Sequence, residues 1–319
     1  MIHSKDIQVE KKYALKGHKD CIYTLSHSTE PTNFFSGAGD GMVVQWNFND
    51  LENGRIIAKV PASIYALHYE PERNKLIVGQ NYEGIHIIDL NENEEAGSLK
   101  LTGSAIFDIK VYKEQILVAT ADGVITVIDY RTLKILKRIH LSSESARSIA
   151  IHHLAGEMAV GYSDNKIRII DLESYQIKYE IAAHDNSVFT LRYSPDYHWL
   201  LSGSRDAHLK IWHVNEHYKL QESIVAHMYC INHIDYRPDG KYFATCSMDK
   251  SVKVWDAEHF KLLKVIDKAR HAGHATSVNR LLWSQYENEK GINPLISASD
   301  DRSISVWQVD LQEKKNDYQ

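Results

Sequence analysis

Cysteine is scarce. Three in 319 residues cannot build a disulfide framework, and the expectation is a reducing compartment. Long apolar runs are missing too: the longest stretch free of Asp, Glu, Lys and Arg is 12 residues, 223–234, against the roughly 18 that a membrane-spanning helix needs. The opening MIHSKDIQVEKK has no apolar core of the kind a secretory signal carries. Nor is there a basic excess. With 37 Lys and Arg against 42 Asp and Glu, the formal charge is -5, which argues against a partner whose phosphates must be neutralised. No Gly-rich phosphate loop, CxxC pair or HExxH stretch occurs, so no metal and no cofactor are expected. These absences lead to the expectation of a cytoplasmic protein (with a nuclear location left open for a eukaryotic source) that binds neither nucleic acid nor membrane.

What is present is a repeat. Seven short runs of strand-like alternation end in Trp or Ile followed by a polar residue: VVQWN, IHIID, ITVID, IRIID, LKIWH, VKVWD and ISVWQ. Their key residues are Trp46, Ile88, Ile128, Ile170, Trp212, Trp255 and Trp307, at intervals of 42, 40, 42, 42, 43 and 52. Each unit reads as apolar stretch, turn, apolar stretch, turn, strand end, as in SVFTLRYS-PDY-WLLSGSRD-LKIWHV. Alternation rich in Val, Ile, Tyr and Trp predicts strands. Pro195-Asp196 and Pro238-Asp239-Gly240 supply type I turns, and Asp40-Gly41, Asp122-Gly123 and Asp164-Asn165 a second, tighter one. An all-β sandwich would not hold so constant a spacing.

Four units add a further pattern. Gly17-His18 … Ser36 … Asp40 … Trp46 is followed by His184 … Ser202 … Asp206 … Trp212, then His227 … Thr245 … Asp249 … Trp255, then His274 … Ser297 … Asp301 … Trp307. His and Asp are 22 apart in three of these, and Asp and Trp 6 apart in all four. The chain resembles the WD40 repeat family over almost its whole length. Units two to four depart, with Val60, Lys100 and Ser142 where His is expected, Ile88, Ile128 and Ile170 in place of Trp, and Tyr82 in place of one Asp.

The resemblance implies an all-β fold, a seven-bladed WD40-type β-propeller of four antiparallel strands per blade, over a single domain at 1–311. The polar tail 312–319 is expected to be disordered. The last unit lacks a fourth strand, and 12–15 (KYAL) matches the strand before His184, so the N-terminal strand is expected to complete blade seven and remove its open edges. The long last interval comes from two insertions, at 267–272 on the top face and 284–294 on the bottom. The His, Ser or Thr, Asp and Trp of a unit are expected to form a buried hydrogen-bonded chain. A catalytic reading of these sets fails on number, since the same set recurs four times with a Trp attached.

In this family partners engage the top face around the channel mouth. Carried over by position, small residues fall at Cys21, Ser63, Ala105, Ala146, Ser187, Cys230 and Ser277. Beside them stand Tyr23, Tyr65, Phe107, Ser148, Phe189, Asn232 and Asn279, and before the turn Asp come Arg205, Met248 and Asp300 among others. Aromatics beside small residues suit a peptide pocket, and they equally suit packing over the channel. The expected function is a non-catalytic, monomeric scaffold binding a protein or peptide on the top face. The alternatives are an obligate subunit buried through its sides or bottom, and, less favoured, a propeller enzyme.

Overall fold

The computed structural model describes residues 7–311, and the tail at 312–319 lies outside them. Seven four-stranded antiparallel sheets form the blades of a ring. Blade five shows the plan: Val188–Tyr193 innermost, then Trp199–Ser204 and His208–His213, with Lys219–Val225 outermost. The second strand lies between neighbours on every side and is apolar or small nearly throughout, as in LLSGS and YFATCS. The outer strands face water and carry the charge, as in ILKRIH and KLQESIV, which protects their free edge. Among the described residues, helix is confined to one turn at Lys268–His271 and a 3-10 turn at Val214–Glu216.

Blades pack through their second strands onto the next blade's inner strand. At Gly203 an added Cβ would lie 2.6 Å from Ile231 Cγ2 of blade six, so that contact has no room for a side chain. Every inner strand carries a β-bulge against the second, in blade one between Ile22 and Thr24 and in blade four between Ala146 and Ser148, which leaves one residue of each strand out of the pairing, Tyr23 in blade one and Arg147 in blade four.

Ring closure is as expected and longer. Gln8–Lys16 pairs antiparallel with Ser303–Asp310, from Gln8 opposite Asp310 to Lys16 opposite Ser303. The bottom insertion folds back on itself, with Ser284 N bonded to Pro294 O, and lays Tyr286 flat on Phe48 of blade one at 4.8 Å. In the top insertion Asp267 caps the single helical turn, its carboxylate accepting from Arg270 N.

Candidate functional site

In four blades the expected polar chain is continuous. In blade five the Trp212 indole N–H donates to Ser202 Oγ at 2.9 Å, that hydroxyl lies 2.7 Å from His184 Nε2, and His184 Nδ1 lies 2.9 Å from Asp206. The carboxylate also accepts the backbone N–H of Asp185. Only one proton order fits: indole donor, hydroxyl relay, imidazole donor, carboxylate acceptor. Ser36, Thr245 and Ser297 hold the same place for His18 and Trp46, His227 and Trp255, and His274 and Trp307, at 2.8–3.0 Å. Asp40, Asp249 and Asp301 accept from the three histidines at 2.9–3.2 Å. Burial pushes the imidazoles of His18, His184 and His227 down, with the facing Asp opposing, so they stand neutral.

Blades two, three and four make a different choice. Ile88, Ile128 and Ile170 sit in the register of the tryptophans, opposite Leu76, Ile116 and Met158 as Trp212 is opposite Leu200. Where the others have Ser or Thr, these have Val78, Val118 and Val160, all fully buried. The indole donor and the hydroxyl that accepts from it are lost together, so neither leaves the other unmet. In blade three the histidine's place belongs to Thr102 rather than Lys100: the Thr102 hydroxyl reaches Asp122 at 3.4 Å. In blade four Ser142 Oγ donates to Asp164 at 2.8 Å, and the buried Arg168 adds bonds to Asp164 and Glu180 at 2.8 and 2.9 Å.

At the top rim seven equivalent positions can be fixed by backbone. Each small residue's carbonyl accepts from the residue before the turn Asp: Cys21 from Gly39, Ser145 from Ser163, Ser187 from Arg205, Cys230 from Met248, Ser277 from Asp300. This corrects two expectations in blade four. Ser145, not Ala146, is the small residue, and Arg147, not Ser148, stands beside it. Ser148 lies one step deeper, buried, with its Oγ accepting from Leu191 N. Ser145 follows Ser142 by three residues, as Ser187 follows His184, so this loop is one residue shorter than Ala146 would require. Reading the apolar residue that precedes each rim residue (Ile22-Tyr23, Val188-Phe189, Ala146-Arg147) gives the right frame from sequence.

With Arg147 in place, the rim forms an arc of rings around a cation. Tyr23 meets Tyr65 edge-on at 4.5 Å, and Tyr65 stacks parallel to Phe107 at 6.1 Å. The Arg147 guanidinium lies between Phe107 at 4.2 Å and Phe189 at 4.6 Å. Its Nε donates to Ser163 Oγ at 3.1 Å. The expected asparagines finish the circle differently, as bridges between blades. Asn232 donates to Ser277 Oγ and Val278 O, and Asn279 to Ile22 O and Asp300 Oδ1.

The rim is electrically lopsided. Arg147 and Arg205 stand on blades four and five within each other's field. Asp300 and Asp20 stand across the mouth, where burial first and then these carboxylates push the Cys21 thiol up. Burial pushes the Cys230 thiol up to about 12. Neither sulfur is poised as a thiolate. Met228, Tyr229 and Met248 lie beside the arginine side, 80%, 58% and 58% exposed. The first two were not foreseen; exposed apolar residues in a top loop leave no periodicity for a sequence reading to find.

The WD domain, G-beta repeat family matches residues 9–47, 175–213, 218–256 and 265–308, the four units with complete polar chains. A striatin homolog of Dictyostelium discoideum is 23% identical over 219 residues, covering 67% of this chain and 23% of its own length. The groucho protein of Drosophila melanogaster is 24% identical over 218 residues, 62% of this chain and 30% of its own. The chain thus spans less than a third of either relative. The solved WD40 β-propeller domain of Doa1 superposes with a TM-score of 0.80 at 17% identity, covering 96% of this chain and 98% of that one.

Proposed function

Because the chain belongs to the WD40 repeat family, we propose that it is a non-catalytic scaffold whose top face holds a protein or peptide partner around the channel mouth. One observation carries the reading: Arg147 is held between Phe107 and Phe189, and the charged groups that reach it include no carboxylate. A cation fixed between two aromatic faces, next to exposed Met228, Tyr229 and Met248, suits an acidic side chain or chain terminus flanked by apolar residues. Arg205 adds to the attraction, while Asp300 and Tyr23 across the mouth receive a basic or hydroxyl group of the same segment. Tyr65 completes the wall. Asn232 and Asn279 set the floor by tying blades together.

The four polar chains take no part in chemistry here. The hydroxyl that could attack is fully buried in each and already accepts from an indole, so no substrate reaches it. The test is capture of partners with the whole chain, followed by affinity measurement for Arg147→Ala and Phe107→Ala alongside melting temperature. Loss of about thirtyfold in affinity with normal melting is the expected result, the scale of a truncated binding anchor. Lowered melting with intact affinity would mean that the arc is packing. A fixed complex that survives both substitutions would move the interface to the sides or bottom.

A further inference from the structure

Below the aromatic arc the channel widens into a cavity of about 530 Å³ open at the bottom face. Its walls are the inner strands, and they bring charge to the axis. Blade three contributes Asp108 and Lys110, blade five Arg192, blade six Asp235 and blade seven Arg280. Three fixed cations therefore face two carboxylates, and a fourth, Arg237, is taken up by Asp239 next to it.

The carboxylates are already engaged. Asp108 is bonded to Lys110 at 2.8 Å and accepts the backbone N–H of Ile149 from the next blade at 2.9 Å. Asp235 pairs with Arg192 at 3.0 Å and accepts from Trp283 N at 2.7 Å. Arg280 is the cation left over. It feels both carboxylates through space and is repelled by Arg192, and its Nε, buried, has no hydrogen-bond partner.

Around these charges stand four imidazoles, His27, His68, His153 and His233. Burial pushes His68 down to about 3, with Lys110 adding to the effect against the pull of Asp108. His233 lies well below its ordinary value, through burial and then Arg280, Arg192 and Lys110. Its Nδ1 accepts from Leu281 N at 3.3 Å, so Nε2 carries the proton and is a donor. The cavity is thus a cage of donors with positive charge in surplus.

We propose that this lower half of the channel binds a compact polyanion of the phosphate class. A guanidinium fork with an unmet N–H, an ammonium and neutral imidazole donors are the groups that recognise phosphoryl oxygens. The volume corresponds to roughly 18 waters at about 30 Å³ each, room for more than one phosphoryl group. An anion seated there meets Arg280 and opposes both the burial and the cationic field that hold His68 and His233 neutral. The site is independent of the top-face reading, since it lies on the other side of the arc.

Pyrophosphate is the probe, titrated into the whole chain at low ionic strength by calorimetry, with histidine C2–H resonances followed in parallel. Saturable binding is expected, with the His68 and His233 resonances moving and their titration rising toward neutrality. Arg280→Gln should weaken binding about tenfold or more, the scale of a charge-assisted bond. Arg55→Gln, which removes an exposed cation from an outer strand, should leave it unchanged. No saturation up to about 10 mM, binding that leaves the histidine resonances still, or equal weakening by both substitutions overturns the proposal. Should Arg280→Gln fail to fold, the histidine resonances of the unaltered chain decide the matter alone.

Discussion

Blades one and five to seven fill the space between their strands with an indole, a hydroxyl, an imidazole and a carboxylate. Blades two to four fill the same space with Ile88 and Val78, Ile128 and Val118, Ile170 and Val160. Strand lengths and registers are shared between the two groups. The difference teaches that the buried indole and hydroxyl are a pair, kept or discarded together, while blades three and four retain the turn Asp with Thr102 or Ser142 as its partner. A buried hydroxyl that serves two partners cannot be lost alone, because each unmet partner costs about 1–3 kcal/mol. Exchanging the indole and the hydroxyl together for apolar side chains leaves no such debt and can be nearly neutral.

The most severe way to break the comparison is to remove what both groups share, the closed ring. Deleting 1–16 takes away the strand paired with Ser303–Asp310 and should give aggregation or a large fall in melting temperature. Deleting 312–319 should change little. Equal tolerance of the two truncations would mean that closure is dispensable.

A pair of isosteric substitutions sharpens the contrast between the groups. In blade six, Thr245 Oγ1 serves His227 at 2.8 Å and Trp255 at 3.0 Å, so Thr245→Val should cost about 2–6 kcal/mol, two partners at the scale above. In blade three, Thr126 is buried with its hydroxyl unpartnered. The same exchange there, Thr126→Val, should be neutral or stabilise by up to about 1 kcal/mol. Denaturant unfolding of the two variants measures both; a loss of equal size in each would erase the distinction.

Acid gives the gentlest test. Burial holds the folded His184 below its ordinary pKa despite Asp206, so the unfolded chain takes up a proton that the folded one refuses. That contribution to stability is whole above about pH 6.5 and is lost as pH falls below it. For Asp206, burial raises and the His184 bond lowers, with a net depression, so its share is lost only below about pH 4. Between about pH 7.5 and about pH 5.5, amides of Trp199–Ser204 should therefore lose protection more than those of Gln115–Thr120, once intrinsic exchange is corrected. Equal change in the two strands would contradict a neutral, buried His184.

The ring, its seven units and its closure are legible because they are written as spacing: 42 residues, Asp and Trp 6 apart. Spacing fails where a loop changes length: in blade three Thr102 stands 20 residues before Asp122 rather than 22, and takes the place expected of Lys100. In blade four the spacing holds, with Ser145 and Arg147 three and five residues after Ser142, one step before the Ala146 and Ser148 expected there. The lower channel is illegible for another cause. Asp108, Lys110, Arg192, Asp235 and Arg280 occupy strand positions that look solvent-facing in sequence, and only the curvature of the ring brings them to one axis.

The closing pair also sets an order in time. Of the ring's strands, Gln8–Lys16 is made first and its partner Ser303–Asp310 last. At about 5–20 residues per second, the wait is roughly 15–60 s. Throughout that interval the opening strand has unpaired N–H and C=O groups and no neighbour within its own chain. Its sequence QVEKKYALK, dense in lysine, is what an edge needs to stay single while the rest of the wheel is built.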